Sequence, residues 1–471
     1  MFLLTRKNFF IILLFVLLAV FYCTLFYHIN LTHFDSWDES RHAVSSIEMN
    51  INKNWIINTW MNKTDMWNLK PILSFLPTCI IISLFGKSIL TVRLFSIVST
   101  ILLCSIVCYY TYKKYNIISS ILFLSLIFTA SLIIKTHGFR SGDADAFYIF
   151  CQVMVVIALA SKNDTRHITL AAFFSALAFL TKSWHALFMA IPYFIAYGYL
   201  FKNKQLSIKS FTFPIIIFFS PILIWLALRY PYDKFDFIKE MYRYDLIARA
   251  SDRITGHYHS IWYFFNQLVD HFSLITIIFI FALIYSFSFR KWKMFSYDIL
   301  IILSAILSSF LIFSLAKTRL AHYSYTHIIL ICIISAILIG RDVNYYTKLL
   351  TLLLAIIALI YNMSTLHQFS KNKLPAYYDQ LQKNAFPLTS AIFTPHEITQ
   401  AERLSFMVMG NFNNDTIKQG KPVKNSLAYY RVGAKDNPDV TGCRILTEEK
   451  TLNDIRYEDD TVRLYTCQED Q

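Results

Sequence analysis

Apolar stretches near the length needed to cross a bilayer, about 20 residues, recur from Phe9 to Met363 and leave room for little except a bundle of membrane helices. Of the 471 residues, 56% are hydrophobic and 17% aromatic, against roughly 45–50% apolar in soluble domains. The mean hydropathy is +0.45. The first stretch, Phe9–His28, follows Arg6 and Lys7. It is long for a signal peptide, and no small-x-small cleavage site follows it, so it reads as an uncleaved anchor with a cytoplasmic N-terminus.

The net charge of +14 would suit nucleic acid, but no basic stripe with interleaved aromatics stands apart from the membrane. Many of the cations instead occupy short loops between spans, where the positive-inside rule places them. The loops Tyr112–Asn116, Ser161–His167, Phe201–Lys209, Arg290–Lys293 and Gly340–Lys348 then face the cytoplasm. Thr136–Asp145, Thr181–Ser183, Tyr230–His271 and Lys317–His322 face outward. This parity holds if Pro71–Phe85, about 15 residues, is re-entrant or interfacial, because it is shorter than the roughly 20 residues of an untilted span. Residues 30–90 then form one outer excursion. The predicted architecture is a polytopic α-helical membrane protein with about 11 spans, 13 if the short segments divide differently. Residues 1–363 form the membrane domain, and 364–471 form a small α+β domain on the outer face. Strand-like runs in the latter are Ala391-Ile392-Phe393, Leu404–Met409 and Val462–Thr466. Six cysteines lie in or beside apolar stretches and behave there as small hydrophobes. Cys443 and Cys467 lie in the polar region, where export would allow a disulfide.

With this topology the unusual polar residues gather on one side. Asp38 and Glu39 follow the first span in His33-Phe34-Asp35-Ser36-Trp37-Asp38-Glu39-Ser40-Arg41. Ser36 and Glu39 have capping-box spacing, so a helix starts here. Its residues Ala43, Val44, Ile47 and Ile51 recur at helical spacing, as for a face lying on the membrane surface. Capping alone would account for both acids, and a helix start would account for Asp143 and Asp145. Lys70 and Lys182 sit at span boundaries, where a lysine either snorkels to the interface or binds phosphate as a point charge. The long outer connection carries Arg249, Arg253, His257 and His259, and the last outer turn carries Lys317, His322 and Tyr323. Together these could cradle an anionic head group. No His-x3-His or Cys-x2-Cys pattern has a convincing metal-site context; a divalent metal is allowed by the supply of Asp and His but is not required.

The pattern resembles the type C glycosyltransferases that use a polyprenyl-phosphate sugar, in particular the superfamily of protein O-mannosyltransferases and lipid A aminoarabinose transferases. The resemblance covers Phe9 to Met363. It rests on Asp38-Glu39-Ser40-Arg41, Lys70-Pro71, Gly142-Asp143-Ala144-Asp145, Leu180-Thr181-Lys182 and the late element from Leu315 to Tyr323. Leu69 and Ile72 stand where related aminoarabinose transferases commonly carry Glu and Pro.

The resemblance implies an enzyme of the bacterial inner membrane with its site on the periplasmic face. It would move a sugar from a carrier such as undecaprenyl phosphate to a hydroxyl of lipid A, another glycan or a protein. Asp38 would be the general base, and Asp143 or Asp145 would orient a substrate. Lys70, Lys182 and Arg249 or Arg253 would hold the donor phosphate. Glu39, Arg41, His257, His259, Lys317, His322 and Tyr323 are further pocket candidates. A donor that already carries a phosphate leaving group needs, in principle, no nucleotide-bound metal. A rival reading, a lipid-linked sugar transporter or flippase, would place such charges near the midplane and duplicate the chain; here they fall at span ends, without a repeat.

Overall fold

The computed structural model describes residues 6–34, 37–251, 259–290, 296–371, 374–383, 391–394, 397–432, 440–450 and 461–467. Among them, seven helices are long and apolar enough to cross a membrane, or eight if the bent pair Tyr263–Asp270 and Ser273–Ser288 counts as one span. The segment Thr165–Lys202, 38 residues long, folds back on itself. The Thr165 hydroxyl lies 2.9 Å from that of Ser210, and the Ser210 carbonyl accepts from the Tyr197 hydroxyl at 2.9 Å. Its two ends therefore lie together, with the reversal at Ser183–Met189. The helices Ile117–Thr129 and Asp145–Ser161 are apolar but only 13 and 17 residues long. The expected count of about 11 depends on these two and on splitting Thr165–Lys202 in half.

The helix Tyr325–Gly340 is apolar on all sides, as a helix with no water-facing side must be, and is buried along its whole length. Ile208–Asp233 is its opposite: little of it is covered by protein, and Ile215, Ile216, Phe219, Leu223 and Ile224 point outward, as for a lipid-facing helix. The last long helix, Tyr345–Lys371, runs through residue 363 and leads into the C-terminal region.

That region has strands and helices, as expected of an α+β unit. After a two-stranded hairpin, β1 (Thr59–Trp60) and β2 (Lys63–Thr64), come β3 (Ile392–Thr394), β4 (Ile417–Gln419), β5 (Ser426–Val432), β6 (Arg444–Lys450) and β7 (Thr461–Cys467). The last five form one mixed sheet in the order β4-β3-β5-β7-β6, with β3 parallel to both neighbours and the remaining pairs antiparallel. The runs at 391–393 and 462–466 fall in or beside strands. Leu404–Met409 does not: it belongs to the helix Gln400–Met409, started by a reciprocal capping box between Thr399 and Glu402. Local capping outweighs the apolar look of the run.

This helix also corrects the reading of the first outer helix, Trp37–Ile51. Its residues Ala43, Val44 and Ile47 are buried against Leu404, Phe406 and Met407 rather than laid on a membrane. An apolar face takes whichever partner the fold supplies, and here it is protein 350 or more positions away.

Cys443 and Cys467 are joined, closing a separation of 24 residues. The chain-entropy account gives such a crosslink about 3 kcal/mol. The double Cys443→Ser/Cys467→Ser variant is expected to lower the unfolding temperature of the C-terminal region while the membrane helices keep theirs. Limited proteolysis during a thermal ramp, with peptide mapping, reads both.

Candidate active site

A cavity of about 660 Å³ opens among the ends of the helices. Its lining includes Asp38, Lys70, Lys182, Arg249, His322 and Tyr323. Residues from five separate sequence regions thus meet in one space.

Asp38 lies in the first turn of Trp37–Ile51, and its side chain is 40% exposed. Ser36, its expected cap, lies outside the described residues. The neighbouring acid has a different fate. Glu39 is buried, bonded to Arg93 at 2.7 and 3.0 Å and to the Gly142 amide at 2.8 Å. A Cβ on Gly142 would stand 2.8 Å from Val92 Cγ1 and 3.0 Å from its carbonyl oxygen, so glycine is what lets the loop Thr136–Asp145 approach Glu39. Glu39 therefore ties that loop to the first helix and does not line the main cavity. Arg41 was expected in the pocket beside Asp38, but it bonds Asp65 through Nε and Nη2 at 2.9–3.1 Å.

His137 lines the cavity, with the buried Asp143 behind it. His137 Nδ1 sits 2.7 Å from Asp143 Oδ2 and 4.0 Å from Asp38 Oδ2. Burial disfavours the imidazolium, but the Asp143 carboxylate, with Asp38 and Asp145 behind it, pushes His137 up to about 9. Burial would raise Asp143, yet the charge and hydrogen bond of His137 hold it below the ordinary range. The stabilisation from a raised His137 is complete below about 6.5, the ordinary value, and is lost as pH rises through about 9. Native protein is expected to lose thermal stability over that interval, and His137→Gln to lose less; a series of melts in buffered detergent measures the difference.

The same cavity is lined by cations. Ser183, at φ 50°, ends the helix Thr165–Lys182, and the Ser74 hydroxyl holds the Thr181 carbonyl at 2.5 Å. This sets Lys182 beside the Lys70-Pro71 segment. Lys182 pairs with Asp145, which is buried and so holds the lysine rather than facing the cavity. Lys70 Nζ lies 3.1 Å from Asp245 Oδ2, and Arg249 Nε lies 2.9 Å from Asp245 Oδ1. Arg249 also donates to the Tyr323 hydroxyl at 3.3 Å. Two cations sharing one carboxylate leave a net positive charge. Burial lowers Lys70, which Asp245 partly offsets, while burial raises Asp245 less than Lys70 and Arg249 lower it. Asp245 lies within the wide π-type turn Met241–Ala248 and Arg249 follows it directly, a feature frequent at functional sites.

His322 stacks near His137, ring centres 4.8 Å apart. His259 is stacked on Tyr263, which lines the cavity. Lys317 is exposed and absent from the lining; its turn contributes Arg319 instead. Arg253 and His257 lie outside the described residues. Among those described, no three His, Cys, Asp or Glu side chains gather as a metal site. Asp245, His137, Arg93 and Asp65 were not assigned from the sequence. Asp245 precedes Arg249 by four residues, a spacing that pairs side chains on a helix, and Arg93 is a cation inside an apolar span, itself a signal.

No protein-family model and no curated protein matches the chain. Solved structures do. ArnT from Cupriavidus metallidurans bound to undecaprenyl phosphate superposes with a TM-score of 0.68 at 13% identity, over 98% of both chains. Its apo state also gives 0.68, at 12% identity, covering 96% of this chain and 97% of that one. The fold is that of the ArnT structures. The Archaeoglobus fulgidus oligosaccharyltransferase gives 0.54 at 10% identity, covering 88% of this chain and 64% of its own. With 98% of this chain covered, the likeness to ArnT extends beyond the Met363 limit drawn from the motifs.

Proposed function

We propose that this protein is a membrane glycosyltransferase that moves a sugar from a polyprenyl-phosphate donor to an acceptor hydroxyl on the outer face of the bacterial inner membrane. The observation that carries the proposal is one cavity lined both by an exposed carboxylate, Asp38, and by Lys70, Arg249 and Tyr323. The ArnT neighbour, bound to undecaprenyl phosphate, supports a carrier of that class.

The acceptor oxygen attacks the anomeric carbon while its proton passes to Asp38. The bond from that carbon to the phosphate oxygen breaks, and the phosphate leaves with the electron pair. A single displacement inverts the anomeric centre. Lys70 and Arg249 stabilise the departing charge, and Lys182 adds to the field. Cations already fixed in place need no reorganisation as charge develops, which is often the largest catalytic contribution. Asp143 acts through His137, and Asp145 through Lys182, as positioning residues.

Deletion of the gene is expected to make a lipid-linked sugar accumulate and a glycan on lipid A, another surface glycan or a protein disappear; mass spectrometry of both fractions measures this. Unchanged profiles in both fractions would contradict the proposal.

A further inference from the structure

The cavity that Asp38 and the cations line also has an aromatic lining. Trp37 precedes Asp38, and Trp67 lies three residues before Lys70. Both line the cavity, their rings meet edge to face at 4.5 Å, and they are 42% and 48% exposed.

The pair rests on a rigid base. The Arg41 guanidinium lies 3.8 Å from the ring centre of Trp60, 5.1 Å from that of Trp67 and 5.8 Å from that of Trp37. Asp65 holds Arg41, and its Oδ1 also accepts from the backbone amides of Trp67 and Asn68 at 3.0 and 3.1 Å. Arg41 and Asp65 are both buried. Withdrawing such a pair from water is costly. An interfacial tryptophan needs no such support, because the headgroup region accepts its ring in many poses. A surface fixed before binding lowers the ordering cost that binding would otherwise carry.

We propose that Trp37 and Trp67 form a platform for the sugar ring of the donor. This rests on the glycosyltransferase reading above and deepens it. In any direct displacement the anomeric carbon lies between the base-activated oxygen and the departing phosphate. The sugar ring must then sit in the cavity that Asp38 and Lys70 line, and the two indoles line that same cavity. The C–H face of a sugar carries slight positive charge and is apolar, which suits the negative face of an indole. Arg41, an apparent member of the acidic motif, serves as the mount of this platform.

The test compares bare undecaprenyl phosphate with undecaprenyl phosphate carrying glucose, mannose, N-acetylglucosamine or 4-amino-4-deoxyarabinose, each bound to protein in nanodiscs. Native protein is expected to bind at least one sugar-bearing probe about tenfold more tightly than the bare carrier, a difference of about 1.4 kcal/mol. Trp67→Ala, Trp37→Ala and Trp67→Leu should remove that gain and leave affinity for the bare carrier unchanged. Trp67→Phe should keep part of it. Leucine retains apolar bulk without a π face, so a gain that survives Trp67→Leu would overturn the platform. No sugar-dependent gain in the native protein would overturn it too, as would an equal loss for bare and charged carrier. Failure of the underlying reading looks different: the bare carrier would then bind equally well to native protein and to Lys70→Ala/Arg249→Ala.

Discussion

Asp38→Asn is expected to slow sugar transfer by about 10²–10⁴, the usual contribution of a general base, while leaving the fold intact. The substitution is nearly isosteric. The helix start remains, and so does the hydrogen bond between the Asp38 carbonyl and His42 Nδ1, 2.6 Å long. The carboxylate itself is 40% exposed, and its nearest ion-pair partner is His137 at 4.0 Å, so little stability is held in it. Binding of bare undecaprenyl phosphate should be unchanged, because Lys70 and Arg249 are held by Asp245 and not by Asp38. The loss should therefore appear in kcat, with KM nearly constant. Full activity in a well-folded Asp38→Asn protein would remove the base assignment.

The neighbouring acid should behave in the opposite way. Glu39→Ala leaves the buried Arg93 guanidinium without its carboxylate and the Gly142 amide without its acceptor. Breaking one side of a buried ion pair costs about 3–5 kcal/mol. Arg93 also donates to the Thr32 and His33 carbonyls at 3.2 and 2.8 Å, so the damage should spread to the link after the first span. The expected result is a large fall in unfolding temperature and in monodisperse yield on size-exclusion chromatography. Replacing both charges, as in Glu39→Met/Arg93→Leu, should recover part of that stability, because no uncompensated charge then remains. A Glu39→Ala protein as stable as the native one would show that Glu39 does not hold the helix Trp37–Ile51 to Arg93 and to the Gly142 loop.

The contrast between these adjacent acids shows how far the sequence carries. Membrane segments were legible because lipid demands long apolar runs, and Asp38, Lys70, Lys182, Arg249 and Tyr323 were legible because polar groups at span ends are few. The partners of the charges were not. Asp65 for Arg41, Arg93 for Glu39 and Asp245 for Lys70 are choices made by tertiary packing, and the last of these pairs joins residues 175 positions apart. The apolar face of Trp37–Ile51 was assigned to lipid because nothing local marks its cover, the helix Gln400–Met409, as a helix rather than a strand except its capping box. The span count suffers from a related ambiguity: Ile117–Thr129 and Asp145–Ser161 are shorter than a straight crossing, and length is the property that sequence reports best.

The most direct test of the account is release of the carrier. Purified protein would be mixed with undecaprenyl-phosphate sugars and acceptor-bearing outer-membrane extract, and free undecaprenyl phosphate followed by mass spectrometry. The account predicts that free carrier appears in step with glycosylated acceptor, that both need the acceptor extract, and that both fall together in Asp38→Asn and in Lys70→Ala. Native, folded protein that moves the intact sugar-bearing lipid across a vesicle membrane without releasing free carrier would contradict it.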